Sequence, residues 1–167
     1  TGAVVVVHNG IIENYLELRE ELAATGHVLR SETDTETVAH LVESYYEGDL
    51  AEAVARAVKR LDGSYALAVM HRNEPTAVVA ARKDSPLIIG VGEGELIVAS
   101  DIPAVLEYTR DVLVLEDGDV ARVTVAGAVV RGSEGEVRDP EHLSVEWDLD
   151  AAEKGGYETF MLKEIHE

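Results

Sequence analysis

The pattern of apolar residues changes abruptly after Gly63, and this change limits the possible folds more than any other feature of the sequence. Between residues 13 and 61, apolar residues recur at helical spacing in three segments. After Gly63 the chain consists of short apolar runs separated by turn sequences such as Asn73-Glu74-Pro75 and Glu116-Asp117-Gly118. Helices followed by strands with tight reversals are typical of an α+β fold built on antiparallel sheets.

The first third of the chain predicts two strands and three helices. The valine run at residues 3–7 predicts a buried strand that ends in a turn at His8-Asn9-Gly10. Helices are expected over residues 13–24, from the polar run 31–36 to about Tyr45, and over residues 49–61. A further short strand is expected at residues 27–31.

The rest of the chain predicts mostly strands. They are expected at residues 64–71, 76–81, 87–91, 95–99, 112–115, 119–125 and 128–131. Residues 102–108 predict a short helix with Pro103 in its first turn, and residues 157–166 predict a last helix.

The net charge of the chain limits the kinds of macromolecule that it can bind. Thirty-three acidic and 14 basic residues give a formal net charge of -19, which repels nucleic acid phosphates and anionic lipids. We therefore expect neither a nucleic acid nor a membrane partner, and we interpret the acidity as a solvated surface. No apolar run approaches the ~20 residues of a membrane span, and no signal peptide precedes the first strand, so a soluble, cytoplasmic chain is expected.

Cysteine and histidine usage limits the chemistry. The 167 residues contain no cysteine, which excludes disulfides, thiolate metal sites and a cysteine nucleophile carried by these residues. None of the six histidines has ligand spacing, such as two histidines one helical turn apart. We expect no metal site and no cofactor.

Two short segments carry candidate functional groups, each with a structural alternative. The Asn9 side chain and the Gly10 N–H could donate to a developing oxyanion, although Asn-Gly is also a common turn dipeptide. The Asp34 carboxylate could bind a substrate amine, although Thr33 and Glu36 have capping-box spacing and Asp34 would offset the helix dipole. Local sequence alone favours the structural interpretation of both segments.

Several motifs, taken together and in order, resemble one family. They are residues 5–15 around His8-Asn9-Gly10, Leu18-Arg19, residues 31–36, residues 62–66, residues 81–87, residues 97–101, residues 116–119 and residues 160–165. This series resembles the glutaminase domain of the glutamine:fructose-6-phosphate aminotransferase (isomerizing) family, whose members are class II glutamine amidotransferases. The resemblance covers nearly the whole chain.

The resemblance implies a fold and a reaction. The family fold is the four-layer αββα N-terminal-nucleophile hydrolase sandwich of antiparallel sheets. In that family, an N-terminal cysteine attacks the glutamine carboxamide, and the released ammonia passes to an isomerase domain that makes glucosamine 6-phosphate from fructose 6-phosphate. By resemblance, Asn9 and Gly10 are catalytic oxyanion donors, and Asp34 binds the α-amino group of glutamine.

The family pattern also extends beyond both ends of this sequence. Its nucleophilic cysteine and an Arg-Trp-Ala-Thr-His-Gly segment precede the His-Asn-Gly motif, so we expect a domain that is incomplete at its N-terminus and inactive alone. Residues 1–150 are expected to form the partial glutaminase domain, and residues 151–167 its end, leading to the linker of an isomerase domain in the same parent chain. Glutamine is the expected substrate of the parent, and a homo-oligomer is possible.

Two other interpretations stay open at this point. The first is a non-catalytic binding or regulatory module that retains the glutaminase fold. The second makes Thr1 an N-terminal nucleophile that uses its own α-amine as the base.

Overall fold

A computed structural model describes residues 1–146 of the chain, and this range contains three helices and ten strands. The helices are α1 (Tyr15–Ala24), α2 (Asp34–Tyr45) and α3 (Leu50–Val58). The strands are β1 (Val4–Ile12), β2 (Gly63–His71), β3 (Val78–Lys83), β4 (Ile88–Val91), β5 (Leu96–Ala99), β6 (Asp111–Val114), β7 (Val120–Thr124), β8 (Gly127–Arg131), β9 (Val137–Arg138) and β10 (Glu141–Ser144). The helix expected at residues 157–166 and the linker expected at residues 151–167 lie outside the described residues.

The strands form two sheets. One has six strands in the order β1-β2-β3-β7-β8-β9, and the other has four in the order β10-β6-β4-β5. Every pair of neighbouring named strands is antiparallel. The α+β fold with antiparallel sheets that the turn sequences predict is therefore confirmed.

Three hydrophobic layers hold the sheets and helices together. The first packs the three helices against one face of the six-stranded sheet, with Val38 and Val54 against Leu67 and Val79. The second lies between the two sheets and includes Ala66, Ala80, Ala121, Ile89 and Leu115. The small alanine side chains allow the sheets to approach closely.

The third layer covers the outer face of the four-stranded sheet. There Val105 and Leu106 pack against Ile88 and Val112. The helices, the two sheets and this segment thus form the layers that the sequence predicts. Among the described residues, however, the layer outside the four-stranded sheet is a turn-rich segment and not a helix. The helix expected at residues 102–108 is wrong: the N–H groups of Val105 and Tyr108 bind carbonyls three residues earlier, which is the spacing of turns.

The polar run at residues 31–36 caps α2 in part as expected. Thr33 Oγ1 accepts a hydrogen bond from Glu36 N at 3.3 Å. The Glu36 carboxylate, however, binds Arg30 N (2.8 Å), Ser31 N (2.7 Å) and Ser31 Oγ (2.9 Å). These bonds, the Arg30 N–H first, lower the pKa of Glu36 to about 2. The strand expected at residues 27–31 is wrong, because N–H groups of this segment bind Glu36 instead of a neighbouring strand.

The turn expected at His8-Asn9-Gly10 is also wrong. β1 continues through these residues to Ile12 and pairs with β2 without interruption. Gly10 adopts φ +131° within the strand. No helix in residues 1–146 is long and apolar enough to cross a membrane.

Candidate active site

β1 lies at the edge of the six-stranded sheet, and within residues 1–146 no strand pairs with its outer side. Residues directly opposite each other on neighbouring strands share one face of the sheet. His8 lies opposite Leu67, which packs against the helices, whereas Asn9 lies opposite Ala66, which packs between the sheets. The Asn9 side chain and the His8 ring therefore leave β1 on opposite faces of the sheet.

The outer edge of β1 presents backbone N–H groups. Ile12 N donates to Asp34 Oδ2 at 3.0 Å, so the Ile12 N–H points away from β2. Alternate residues of an antiparallel strand direct their N–H groups to the same side. The Gly10 N–H therefore points to this edge too, two residues before the contact with Asp34.

Asp34 is the first residue of α2 and joins this helix to β1. Besides Ile12 N, its carboxylate accepts a hydrogen bond from Thr35 N, at 2.7 Å from Oδ1. The side chain is 22% exposed. A carboxylate offers about four lone-pair positions, so Asp34 keeps acceptor capacity for a cation at the edge of β1.

His8 contacts this carboxylate from the face of the sheet that packs against the helices. Its Nδ1 lies 3.1 Å from Thr35 Oγ1 and 3.7 Å from Asp34 Oδ1. Burial lowers the pKa of His8, and the Asp34 carboxylate offsets part of that effect. The ring is therefore neutral at neutral pH. His8 and Thr35 each adjoin a candidate residue in the sequence, but no local pattern relates them, and only the folded chain shows that they touch.

The backbone at Gly10 excludes any side chain. A Cβ at this position would overlap the Ser64 carbonyl oxygen and lie 2.9 Å from both Ser64 C and Tyr65 Cα. The close approach of β1 to β2 thus requires glycine at one of the two candidate oxyanion donors.

The Thr1 hydroxyl is engaged in local hydrogen bonds. Thr1 Oγ1 accepts from Val4 N at 2.9 Å and from Ala3 N at 3.2 Å. These contacts fasten the start of β1, which favours a structural role for Thr1.

Two solved structures share this fold. A glutamine phosphoribosylpyrophosphate amidotransferase from B. subtilis matches with a TM-score of 0.70 and 24% identity, over 80% of this chain and 30% of that one. A structure described as the allosteric regulatory enzyme of purine biosynthesis matches with a TM-score of 0.70 and 22% identity, over 90% of this chain and 35% of that one. The chain has the N-terminal-nucleophile hydrolase fold of amidotransferases, as the resemblance predicts.

Sequence similarity identifies the family. The glutamine amidotransferase domain family matches residues 1–107, and the chain belongs to this family. The glutamine–fructose-6-phosphate aminotransferase (isomerizing) of Symbiobacterium thermophilum is 56% identical over 100% of this chain, and that of Clostridium tetani is 55% identical over 99%. The chain spans 27% of the length of each of these relatives. The resemblance stated from the motifs is confirmed.

Proposed function

We propose that this chain is the larger part of the glutamine-hydrolysing domain of a glutamine:fructose-6-phosphate aminotransferase. Residues 1–150 belong to that domain, and residues 151–167 lead toward an isomerase domain of the same parent chain. Glutamine is the substrate, and its ammonia passes to fructose 6-phosphate to give glucosamine 6-phosphate. The observation that carries the proposal is the Asp34 carboxylate, bound to the same edge of β1 that presents the Gly10 N–H. Relatives of this name that match nearly the whole chain support it.

The distance along β1 suits glutamine. Two residues of strand separate the Gly10 N–H from the Ile12 N–H that holds Asp34, a span of about 7 Å. An extended glutamine bridges roughly this distance between its α-ammonium and its carboxamide oxygen. In the proposed complex the ammonium pairs with Asp34, and the carboxamide oxygen lies at the edge of β1 near Gly10.

Asn9 and Gly10 supply neutral donors at the reacting carbonyl. Attack on the carboxamide turns its carbonyl oxygen into an oxyanion, which the Gly10 N–H and the Asn9 side-chain amide stabilise. Loss of one such donor typically lowers the rate of acyl transfer by about 100-fold to 1,000-fold. Because the 167 residues contain no cysteine, a thiol nucleophile has to come from outside them.

His8 and Thr35 position the ammonium-binding carboxylate. The His8 ring contacts both Asp34 and Thr35, and the Thr35 N–H donates a hydrogen bond to one Asp34 oxygen. Asp34 is thereby held in one orientation before substrate arrives, which reduces the entropy lost on binding.

Steady-state kinetics of the full-length protein that contains this chain tests the proposal. Asn9→Ala removes a donor that acts mainly in the transition state, so kcat should fall about 100-fold to 1,000-fold with little change in KM for glutamine. Asp34→Asn removes the charge partner of the substrate ammonium, which is charged in both the ground state and the transition state. KM should therefore rise with a smaller change in kcat. The 167-residue chain alone should release no glutamate from glutamine.

A matched control separates function from helix capping. Asp49 Oδ1 caps α3 through Glu52 N at 3.1 Å, so Asp49→Asn changes a cap aspartate away from the site. This variant should keep the parent's kinetics. If Asn9→Ala and Asp34→Asn lower the melting temperature but leave glutamine kinetics unchanged, the two residues have structural roles and the site assignment is wrong. A full-length parent that does not hydrolyse glutamine would instead favour a non-catalytic module.

A further inference from the structure

Three side chains with potential metal-ligand atoms converge where α2 meets the segment that follows α1. His27 follows α1, and His40 and Glu43 lie on α2. One potential ligand atom from each lies within 4.8 Å of the others. His27 Nδ1 is 3.0 Å from His40 Nδ1, and His40 Nδ1 is 3.8 Å from Glu43 Oε2. The sequence predicted no metal site because its histidines lack ligand spacing, but this set combines residues from two separate segments.

These distances suit a small tetrahedral ion. Zn²⁺ binds imidazole nitrogen and carboxylate oxygen at about 2.0–2.2 Å, which places neighbouring ligand atoms of a tetrahedron roughly 3.4 Å apart. The observed 3.0 Å and 3.8 Å separations lie on either side of that value. The ligand atoms of His27 and Glu43 lie within 4.8 Å of each other, so metal binding requires side-chain rotation that brings this pair to roughly 3.4 Å.

The chain holds these ligands in place without a metal. His40 and Glu43 are three residues apart on one helix and therefore share a face. His27 N donates to Leu22 O at 3.0 Å, which ties the residue to the end of α1. The Glu36 carboxylate fixes the following residues, Arg30 and Ser31, through their N–H groups.

His40 has a carboxylate that can orient its ring. The His40 side chain is buried, which limits its movement. Glu36 Oε1 lies 3.9 Å from His40 Nε2, on the side of the ring opposite Nδ1. A carboxylate behind a ligating histidine orients the ring and strengthens it as a ligand.

An open cavity gives an ion access to the cluster. The cavity has a volume of about 520 Å³ and is lined by His27, His40, Glu43, Glu36 and Arg30 among others. Arg30 and the Thr1 ammonium line the cavity and oppose a metal here, whereas the net charge of -19 attracts one to the chain as a whole. The cavity leaves room for water as a fourth ligand.

We propose that His27, His40 and Glu43 bind one divalent transition-metal ion, best represented by Zn²⁺, with water completing a tetrahedron. The ion links the segment between α1 and α2 to the body of α2. This segment ends at Asp34, so the site stabilises the part of the chain that positions the start of α2. The proposal does not depend on glutamine hydrolysis.

Metal titration of the chelator-treated 167-residue chain tests this site. Calorimetry should show one Zn²⁺ bound per chain, and Zn²⁺ should raise the melting temperature. Co²⁺ should give the visible absorption typical of four-coordinate nitrogen and oxygen ligands. His27→Gln and Glu43→Gln should each weaken Zn²⁺ binding by at least about 10-fold. Glu43→Gln changes a partly exposed side chain, so it gives a readout even if a histidine variant folds poorly.

Control variants remove the same side-chain types elsewhere. Glu47→Gln and His142→Gln alter exposed residues outside the cluster and should leave Zn²⁺ affinity unchanged. The proposal is overturned if the folded chain shows no saturable Zn²⁺ binding. It is also overturned if the control variants weaken binding as much as the cluster variants, because surface carboxylates and histidines would then account for it.

Discussion

Substitution of Gly10 by alanine should be far more destabilising than the loss of a strand glycine usually is. The backbone at Gly10 has φ +131°, and a Cβ there would overlap the Ser64 carbonyl oxygen. Gly127 provides the matched control, since it has φ +140° but no atom within 4 Å of a Cβ. Gly127→Ala therefore measures the conformational cost alone, about 1–3 kcal/mol. Gly10→Ala adds the cost of moving β1 away from β2.

The added cost follows from the contacts. Relief of the overlap with Ser64 requires β1 to shift, which weakens about two neighbouring inter-strand hydrogen bonds at roughly 1 kcal/mol each. Gly10→Ala should thus lower the free energy of unfolding by about 2 kcal/mol more than Gly127→Ala does. For a chain of this size the melting temperatures should differ by roughly 4–8 °C.

Urea and thermal unfolding followed by circular dichroism measure both variants side by side. Equal destabilisation by the two substitutions would refute the steric argument, because only Gly10 lies against backbone atoms. The result also bears on the active site: lost activity in Gly10→Ala reports the fold as well as the oxyanion donor, so Asn9 is the better kinetic probe.

Two further predictions concern pH and association. Burial lowers the pKa of His8 below its ordinary value of 6.5, so the unfolded chain binds the extra proton and stability should fall as the pH drops below about 6.5. His8→Gln should reduce this pH dependence in unfolding experiments at pH 5 to 7, whereas His142→Gln should not. If the free energy of unfolding changes equally with pH in both variants, His8 is not its source. Val5 and Val7 are 62% and 68% exposed on the edge strand β1, so the chain should self-associate. In sedimentation experiments Val7→Lys should reduce the average mass of the 167-residue chain. Val125→Lys, at a 77% exposed turn residue, should not reduce it. A monomeric unsubstituted chain would refute this prediction.

The layered fold was predictable because its signals are local. Tight turns at Gly94, Gly118 and Gly127 have the positive φ that their sequences suggest, and they set the antiparallel order of the second half. Helical periodicity and the Thr33 cap likewise located α2. Each of these features depends on residues a few positions apart.

The errors came from contacts that local sequence does not show. Asn9-Gly10 has the composition of a turn, yet the positive φ of Gly10 serves a close approach to Ser64 on another strand. Glu36 has capping-box spacing, yet its carboxylate binds the preceding loop.

In the candidate site, too, the sequence indicates individual residues but not the contacts between them. Asn9, Gly10 and Asp34 were selected by resemblance to a family, since each motif alone favoured a structural interpretation. The contact between Asp34 and Ile12 joins residues 22 positions apart, and that between His8 and Thr35 joins residues 27 positions apart. No periodicity or capping rule relates such positions, so their meeting required the folded chain.

The attachment of Asp34 to β1 has a consequence for substrate choice under the proposed function. Both ends of the amino acid are held by one strand, the carboxamide at Gly10 and the ammonium through the carboxylate bound to Ile12. The rise per residue of a strand varies little, so the separation is nearly fixed. Asparagine is one methylene shorter and cannot engage both ends at once, and a missing methylene typically costs about 1–3 kcal/mol in discrimination. Selection between the two amide amino acids is then made by the length of a backbone segment.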